Sequence, residues 1–137
     1  MSIVETENGN IEIVKRVLGE YLAGGIDAIK PFIADDVAVH VPVSMPYGGR
    51  AYRGWQGYLD VIKAVRAFWS DTQLEGSEYA ATGNKVICVS QLKARIAKTG
   101  KPYEGPVVEV WELRDRQIVS VTPFYYDTKA ILDLAAP

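Results

Sequence analysis

The chain holds one cysteine and one histidine in 137 residues. Cys88 alone cannot close an intrachain disulfide, and one thiol beside one imidazole leaves too few of the usual ligands for a zinc site. Charge of one sign is missing as well: 15 Lys plus Arg stand against 17 Asp plus Glu, a net charge of -2. Without a basic stripe nothing matches a phosphate backbone, so no nucleic-acid partner is expected. No apolar run approaches the roughly 18 residues of a membrane span. The opening MSIVETENGN carries acids where a secretory or transit peptide carries positive charge. A cytoplasmic protein with no membrane partner is expected.

What is present is an ordinary globular composition, 48% hydrophobic and 23% charged. That suits a single domain over residues 1–137, with residues 1–8 as a flexible N-terminus. Asn8 or Asn10 can cap a first helix in which Ile11, Val14, Leu18, Tyr21 and Leu22 recur at helical spacing. Gly24-Gly25 ends it. A short second helix follows from Asp27 through AIKPFIA, and Asp35-Asp36 marks a turn into the strand VAVHVP. There Val37, Val39 and Val41 share one side and Ala38 and His40 the other. Residues 43–54 read as a loop. WQGYLDVIKAVRAFW reads as a third helix, with Trp55, Leu59, Ile62, Val65 and Trp69 as its apolar stripe.

From Gln73 the period changes to two. QLEGSEYAAT, KVICVSQLKARIAK, VVEVWELR and IVSVTPFYY read as four strands joined by hairpin connections, and DTKAILDLAA closes the chain as a helix capped by Asp127 or Thr128. Helices first and a meander afterwards predict an α+β domain with its helices on one face of a curved antiparallel sheet. Such a sheet leaves a hollow open at one end. Alternation sends Ser90, Leu92, Ala94 and Ile96 inward from one strand and Glu109, Trp111 and Leu113 from the next. Glu109 is thereby a carboxylate on an apolar face. Desolvation raises its pKa unless a donor or cation sits beside it.

The order of these elements, the ADDVAVHVP run, the YGGRAYRG loop and the closing VWELRDRQIVSVTPFYYD resemble the SnoaL-like and ketosteroid isomerase-like branch of the NTF2-like superfamily, over about residues 9–135. The resemblance implies a cone-shaped α+β barrel with a deep apolar cavity. It also implies a homodimer through the outer sheet face, where Ile87, Val89, Val108 and Val110 fall, and acid/base chemistry without metal or cofactor. Ketosteroid isomerases place an oxyanion-hole tyrosine near the end of the first helix, which Tyr21 matches, and a protonated acid in the strand that carries Glu109. Their general base precedes a proline, and Val41 stands at that position here. SnoaL-type cyclases use an aspartate near the end of the last strand, the region of Asp127.

The catalytic candidates are therefore Tyr21, Glu109, His40 and Asp127. Each has a structural alternative: a satisfied buried tyrosine, an ion-paired glutamate, a partly exposed histidine bonded to backbone, and a helix cap. Val41, Trp55, Leu92, Trp111, Phe124 and Tyr126 are the candidate substrate-binding residues. The function implied is a cofactor-independent isomerase or cyclase acting on a small hydrophobic carbonyl compound. The alternative is a binding or accessory protein that uses the same cavity without turnover.

Overall fold

The computed structural model describes residues 2–137. Helix α1 (Ile3–Ala23) starts on Ser2, whose side chain accepts the Glu5 N–H at 3.1 Å, and ends at Gly24 with φ at 85°. That left-handed conformation is one only glycine adopts without strain, and it turns the Gly24 and Gly25 N–H groups back onto the last carbonyls. The start lies upstream of the expected Asn8 or Asn10 cap, so the segment read as a flexible terminus is helical from Ile3 onward. Asn10 is instead buried on the helix face that also carries Ile13, Val14, Val17 and Leu18.

Pro31 splits the second helix. Helix α2 covers only Ile26–Ile29, with Gly25 and not Asp27 at its cap, and Lys30–Phe32 tightens into a 3-10 turn around the proline. Strand β1 (Ile33–Val39) follows, then β2 (Tyr52–Arg53) and helix α3 (Gly54–Phe68). Strands β3 (Trp69–Thr82), β4 (Lys85–Ile96), β5 (Pro102–Arg114) and β6 (Gln117–Tyr125) form the meander, and helix α4 (Thr128–Ala135) ends the chain.

The six strands lie in the order β2-β1-β6-β5-β4-β3. The sheet is not wholly antiparallel, because β1 runs parallel to β6. Asp35 and Asp36, expected in a turn, sit inside β1 where its register against β6 shifts between Ile33 and Ala38. The shift leaves both side chains in solvent, and Arg114 donates to both Asp36 carboxylate oxygens at 2.7 and 3.1 Å. The short β2 lies within the segment read as loop.

Two irregularities bend β3. Its register against β4 shifts between Ser70 and Gln73, where Asp71 has φ at 53°, and again between Glu75 and Glu78, where Gly76 has φ at 60°. A bulge adds twist and curvature to its strand, so β3 curls toward the helices. The core fills the concave side. Val14 and Val17 from α1, Ile29, Val37 from β1, Val86 from β4 and Ile118 from β6 are all fully enclosed, each side chain contributing roughly 1.5–3 kcal/mol by leaving water. No helix of the described residues is long and apolar enough to cross a membrane.

Helix α3 reaches this core through a close backbone approach. A Cβ on Gly57 would lie 2.7 Å from the Tyr52 carbonyl carbon and 3.1 Å from its Cα. Alanine favours a helix over glycine by about 1 kcal/mol, but the obstructing atoms are backbone and cannot swing aside, so overpacking decides the sign. Gly57→Ala is expected to lower the thermal midpoint by several degrees in a calorimetric scan. An unchanged or raised midpoint would show that β2 yields freely.

Candidate active site

A cavity of about 130 Å³ opens between the concave face of the sheet and helices α1 and α3. Val17, Leu18 and Tyr21 of α1 and Tyr58, Val61 and Ile62 of α3 cover it, while β3 to β6 form its floor. Two larger depressions, of about 310 and 400 Å³, lie open on the surface, and most of their charged lining residues, such as His40, Arg50, Asp71 and Glu104, are exposed to solvent. The enclosed cavity is the better candidate because burial is what changes the chemistry of an acid or a hydroxyl.

Register explains what the floor presents. Tyr79, Cys88, Glu109 and Pro123 lie side by side across β3 to β6, and Ala81, Val86, Trp111 and Val121 form the next row. Glu109 thus has a thiol and a proline ring as lateral neighbours, with Val107 and Trp111 above and below it on its own strand. Among the described residues no cation pairs with it, and its Oε1 is buried without a hydrogen-bond partner. Desolvation alone lifts its carboxyl to about 7. The small exposure that Glu109 retains is toward the cavity it lines. Trp111 Nε1 is the other orphaned polar atom in this lining, and unpaired buried groups of this kind are rare enough in proteins to require a cause.

Tyr21 enters from the last turn of α1. Arg66 holds that turn by donating to the Tyr21 carbonyl at 3.0 Å, with its guanidinium 5.2 Å from the Tyr21 ring centre. Burial pushes the Tyr21 hydroxyl above its ordinary range; Arg66 opposes the shift and Glu109 adds to it. Tyr58 is buried still more deeply, and burial, then Glu109 and Tyr21, push its hydroxyl up. Both tyrosines are therefore neutral donors in the field of one carboxyl group. Among the described residues no group of three or more His, Cys, Asp or Glu side chains is placed to hold a metal ion.

The remaining sequence candidates divide. Val41, Leu92 and Trp111 line the cavity together with Tyr21 and Glu109. His40 does not reach it: the residue is exposed beyond the end of β1 and faces the depression of about 310 Å³ beside Arg50 and Arg53. Asp127 is also exposed, and its Oδ1 accepts the Ala130 N–H at 3.0 Å as the cap of α4. Trp55 is outside the lining and stacks on Tyr58 at 6.0 Å. Phe124 and Tyr126 point away from the cavity and are 52% and 79% exposed. Strict alternation from Ile118 would send both inward, but the register slips between Glu112 and Leu113, leaving one residue of β6 unpaired between Ile118 and Ser120. Inward positions become Val121, Pro123 and Tyr125.

Tyr47, Tyr58, Trp69 and Tyr125 are the aromatic lining residues absent from the sequence-based site candidates. The run Tyr58, Val61, Ile62 and Val65 was the available signal for Tyr58, since it follows the i, i+3, i+4, i+7 pattern better than a stripe drawn through Trp55 and Leu59. Nothing local marks Tyr47, which the loop between β1 and β2 delivers.

The SnoaL-like domain model matches residues 14–121. The chain belongs to the SnoaL-like domain family. No curated protein matches it. Among solved structures this SnoaL-like chain is similar to an NTF2-like protein from Burkholderia xenovorans, with a TM-score of 0.85 and 20% identity over 95% of this chain and 98% of that one. It is similar also to a protein from Jannaschia provisionally named a SnoaL-like polyketide cyclase, with a TM-score of 0.81 and 16% identity over 96% and 94% of the two chains. TerC, crystallised with polyporic acid, gives a TM-score of 0.81 and 21% identity over 93% and 98%. At such identities these likenesses establish the NTF2-like fold.

The SnoaL-like cavity has a thermodynamic consequence. A carboxyl whose folded pKa lies near 7 against an ordinary 4.5 binds its proton more tightly in the folded than in the unfolded chain. Stability is therefore full below about pH 4.5 and falls as pH rises toward 7, with a total loss of roughly 3 kcal/mol. Glu109→Gln is expected to flatten this part of the pH–stability curve in denaturant titrations between pH 5 and 8. Equal slopes in variant and parent would place the carboxyl in water.

Proposed function

We propose that this protein is an acid/base enzyme of isomerase or cyclase type, acting without a cofactor on a small hydrophobic carbonyl compound bound in the cavity. The observation that carries the reading is the Glu109 carboxyl, enclosed, unpaired and lifted to about 7. A group with that pKa has both its protonated and ionised forms available near neutral pH, the condition under which one side chain can take a proton and return it. The ketone oxygen of a ligand over β5 would face the Tyr21 and Tyr58 hydroxyls. As Glu109 removes a proton from the carbon beside the carbonyl, negative charge gathers on that oxygen, and two neutral donors in a dry site stabilise it.

This assignment moves Glu109 from a donor paired with Tyr21 to the proton-transferring group. His40 and Asp127 are exposed and outside the cavity lining, and Val41 offers no base. The membership of the family and the cyclase name carried by a structural neighbour support the reaction class. A second reading, a binding protein without turnover, is favoured by the presence of a single carboxyl in the lining.

The two readings separate by proton exchange. Cyclic ketones such as 1-tetralone, incubated with the protein in deuterated water, are expected to lose their α-protons faster than in buffer, with a rate that rises through about pH 7. Glu109→Gln should slow this at least about a hundredfold, and Tyr21→Phe about tenfold. Binding with no catalysed exchange for any ketone of the panel would establish the non-catalytic protein. Exchange unaltered in Glu109→Gln would remove Glu109 from the chemistry.

We propose further that the protein is a homodimer through the outer sheet face. Val89, Val108 and Phe124 lie in one row there and Ile87 and Val110 in the next, with Val89 43% and Phe124 52% exposed. Covering this patch removes apolar surface from water. Light scattering at micromolar concentration should give twice the chain mass of 15.1 kDa; a monomer would contradict the assignment.

A further inference from the structure

Tyr47 and Tyr125 share a hydrogen bond of 2.8 Å between their hydroxyl oxygens, and Trp69 Nε1 donates to the Tyr47 oxygen at 3.0 Å. Tyr47 is held in place: Tyr52 donates to its carbonyl at 2.7 Å, and two successive turns close the loop, Met45 N–H onto Pro42 and Gly48 N–H onto Met45. Burial pushes the Tyr47 hydroxyl to about 12 and the Tyr125 hydroxyl well up. Both therefore keep their protons near neutral pH.

Counting those protons gives a remainder. Two hydroxyl protons are present and one is consumed in the bond between the rings. The Trp69 N–H occupies a lone pair of Tyr47 and accepts nothing. Neither hydroxyl has a further acceptor among the described residues. One O–H is left to donate, and a buried donor without an acceptor is costly. Both rings line the cavity, but the Tyr47 oxygen already has two partners, Trp69 and Tyr125, whereas the Tyr125 oxygen has one. Tyr47 is 7% exposed and packed into the core beside Trp69, and Tyr125 is the more exposed residue of the two.

We infer that the Trp69–Tyr47–Tyr125 chain aims the Tyr125 hydroxyl into the cavity as a second ligand-recognising donor, selecting flat aromatic ketones that carry a second oxygen function. Trp69 and Tyr47 are positioning residues for that donor. The spacing follows from register: Tyr125 pairs with Val107 and Glu109 with Pro123, so Tyr125 is the diagonal neighbour of Glu109, with backbones about 7–8 Å apart. One oxygen of such a ligand meets the Glu109 end and the other meets Tyr125. The Trp69 and Tyr125 rings stack 6.1 Å apart, inclined by 28°, and place aromatic surface beside the ring system between the two oxygens. A donor polarised by a preceding N–H donor in a dry site is stronger than a free tyrosine.

The inference rests on the cavity being a ligand site, but not on turnover. Its test is calorimetric binding of two probes, 1-tetralone and 6-hydroxy-1-tetralone, which differ by one oxygen. The parent protein is expected to bind the hydroxylated probe about tenfold more tightly. Tyr125→Phe should erase that preference, bringing the affinities for the two probes within about twofold of each other. Tyr47→Phe, which loosens the donor without deleting it, should give an intermediate preference. Circular dichroism melts check that both variants fold. Equal affinities in the parent, or a preference retained in Tyr125→Phe, would overturn the donor and leave the reading of Glu109 intact. A preference lost in Tyr47→Phe and kept in Tyr125→Phe would overturn the assignment to Tyr125. Binding of neither probe would overturn the cavity as a ligand site, and this inference with it.

Discussion

A carboxyl group held out of water with no countercharge is the constraint on which the rest of the site depends. Glu109 occupies an inward position of β5 because period-two alternation gives it no choice: Val107 and Trp111 on either side are core residues, and turning the strand over would expose them. Its lateral neighbours, Cys88 and Pro123, supply neither charge nor a good donor. The apolar contacts of the sheet thus hold in place a group that prefers water. The cost appears as a raised pKa and an orphaned oxygen, both of which a bound ligand can relieve.

Legibility in the sequence follows the regularity of the backbone. Strands β4 and β5 alternate without interruption, and their inward residues, Glu109 included, are readable from side-chain type alone. Bulges defeat the same method elsewhere. One register shift in β6 reverses its phase between Ile118 and Val121, exchanging Phe124 and Tyr126 for Tyr125, and another lets Asp35 and Asp36 sit within a strand. An extra residue carries no signature in composition. Its presence is set by the pairing partner, Leu113 and Glu112 across the hairpin in one case and the distant β6 in the other. His40 fails differently. It obeys alternation, pointing opposite Val39 and Val41, and that rule already directs it outward.

Fold and chemistry separate along these lines. Solved structures at about one-fifth identity share the NTF2-like architecture, and an architecture hosts many reactions. The chemistry proposed for this chain rests on a few side chains that the shared backbone presents: one acid, two tyrosines above it, and a tyrosine pair delivered by the loop between β1 and β2 and by β6. That loop belongs to the cavity wall as much as to the connection, since the Tyr52 hydroxyl ties its backbone to the strand edge.

The curvature of β3 has a consequence outside the cavity. β3 is an edge strand, with no neighbour beyond it in the sheet, and a long straight edge offers its free N–H and C=O groups as a template for a foreign strand. Bulges at Asp71 and Gly76 interrupt that row twice, and Asp71, Glu75 and Glu78 set exposed negative charge along it. The bends that hollow out a space on one side thereby protect the molecule from edge-to-edge aggregation on the other.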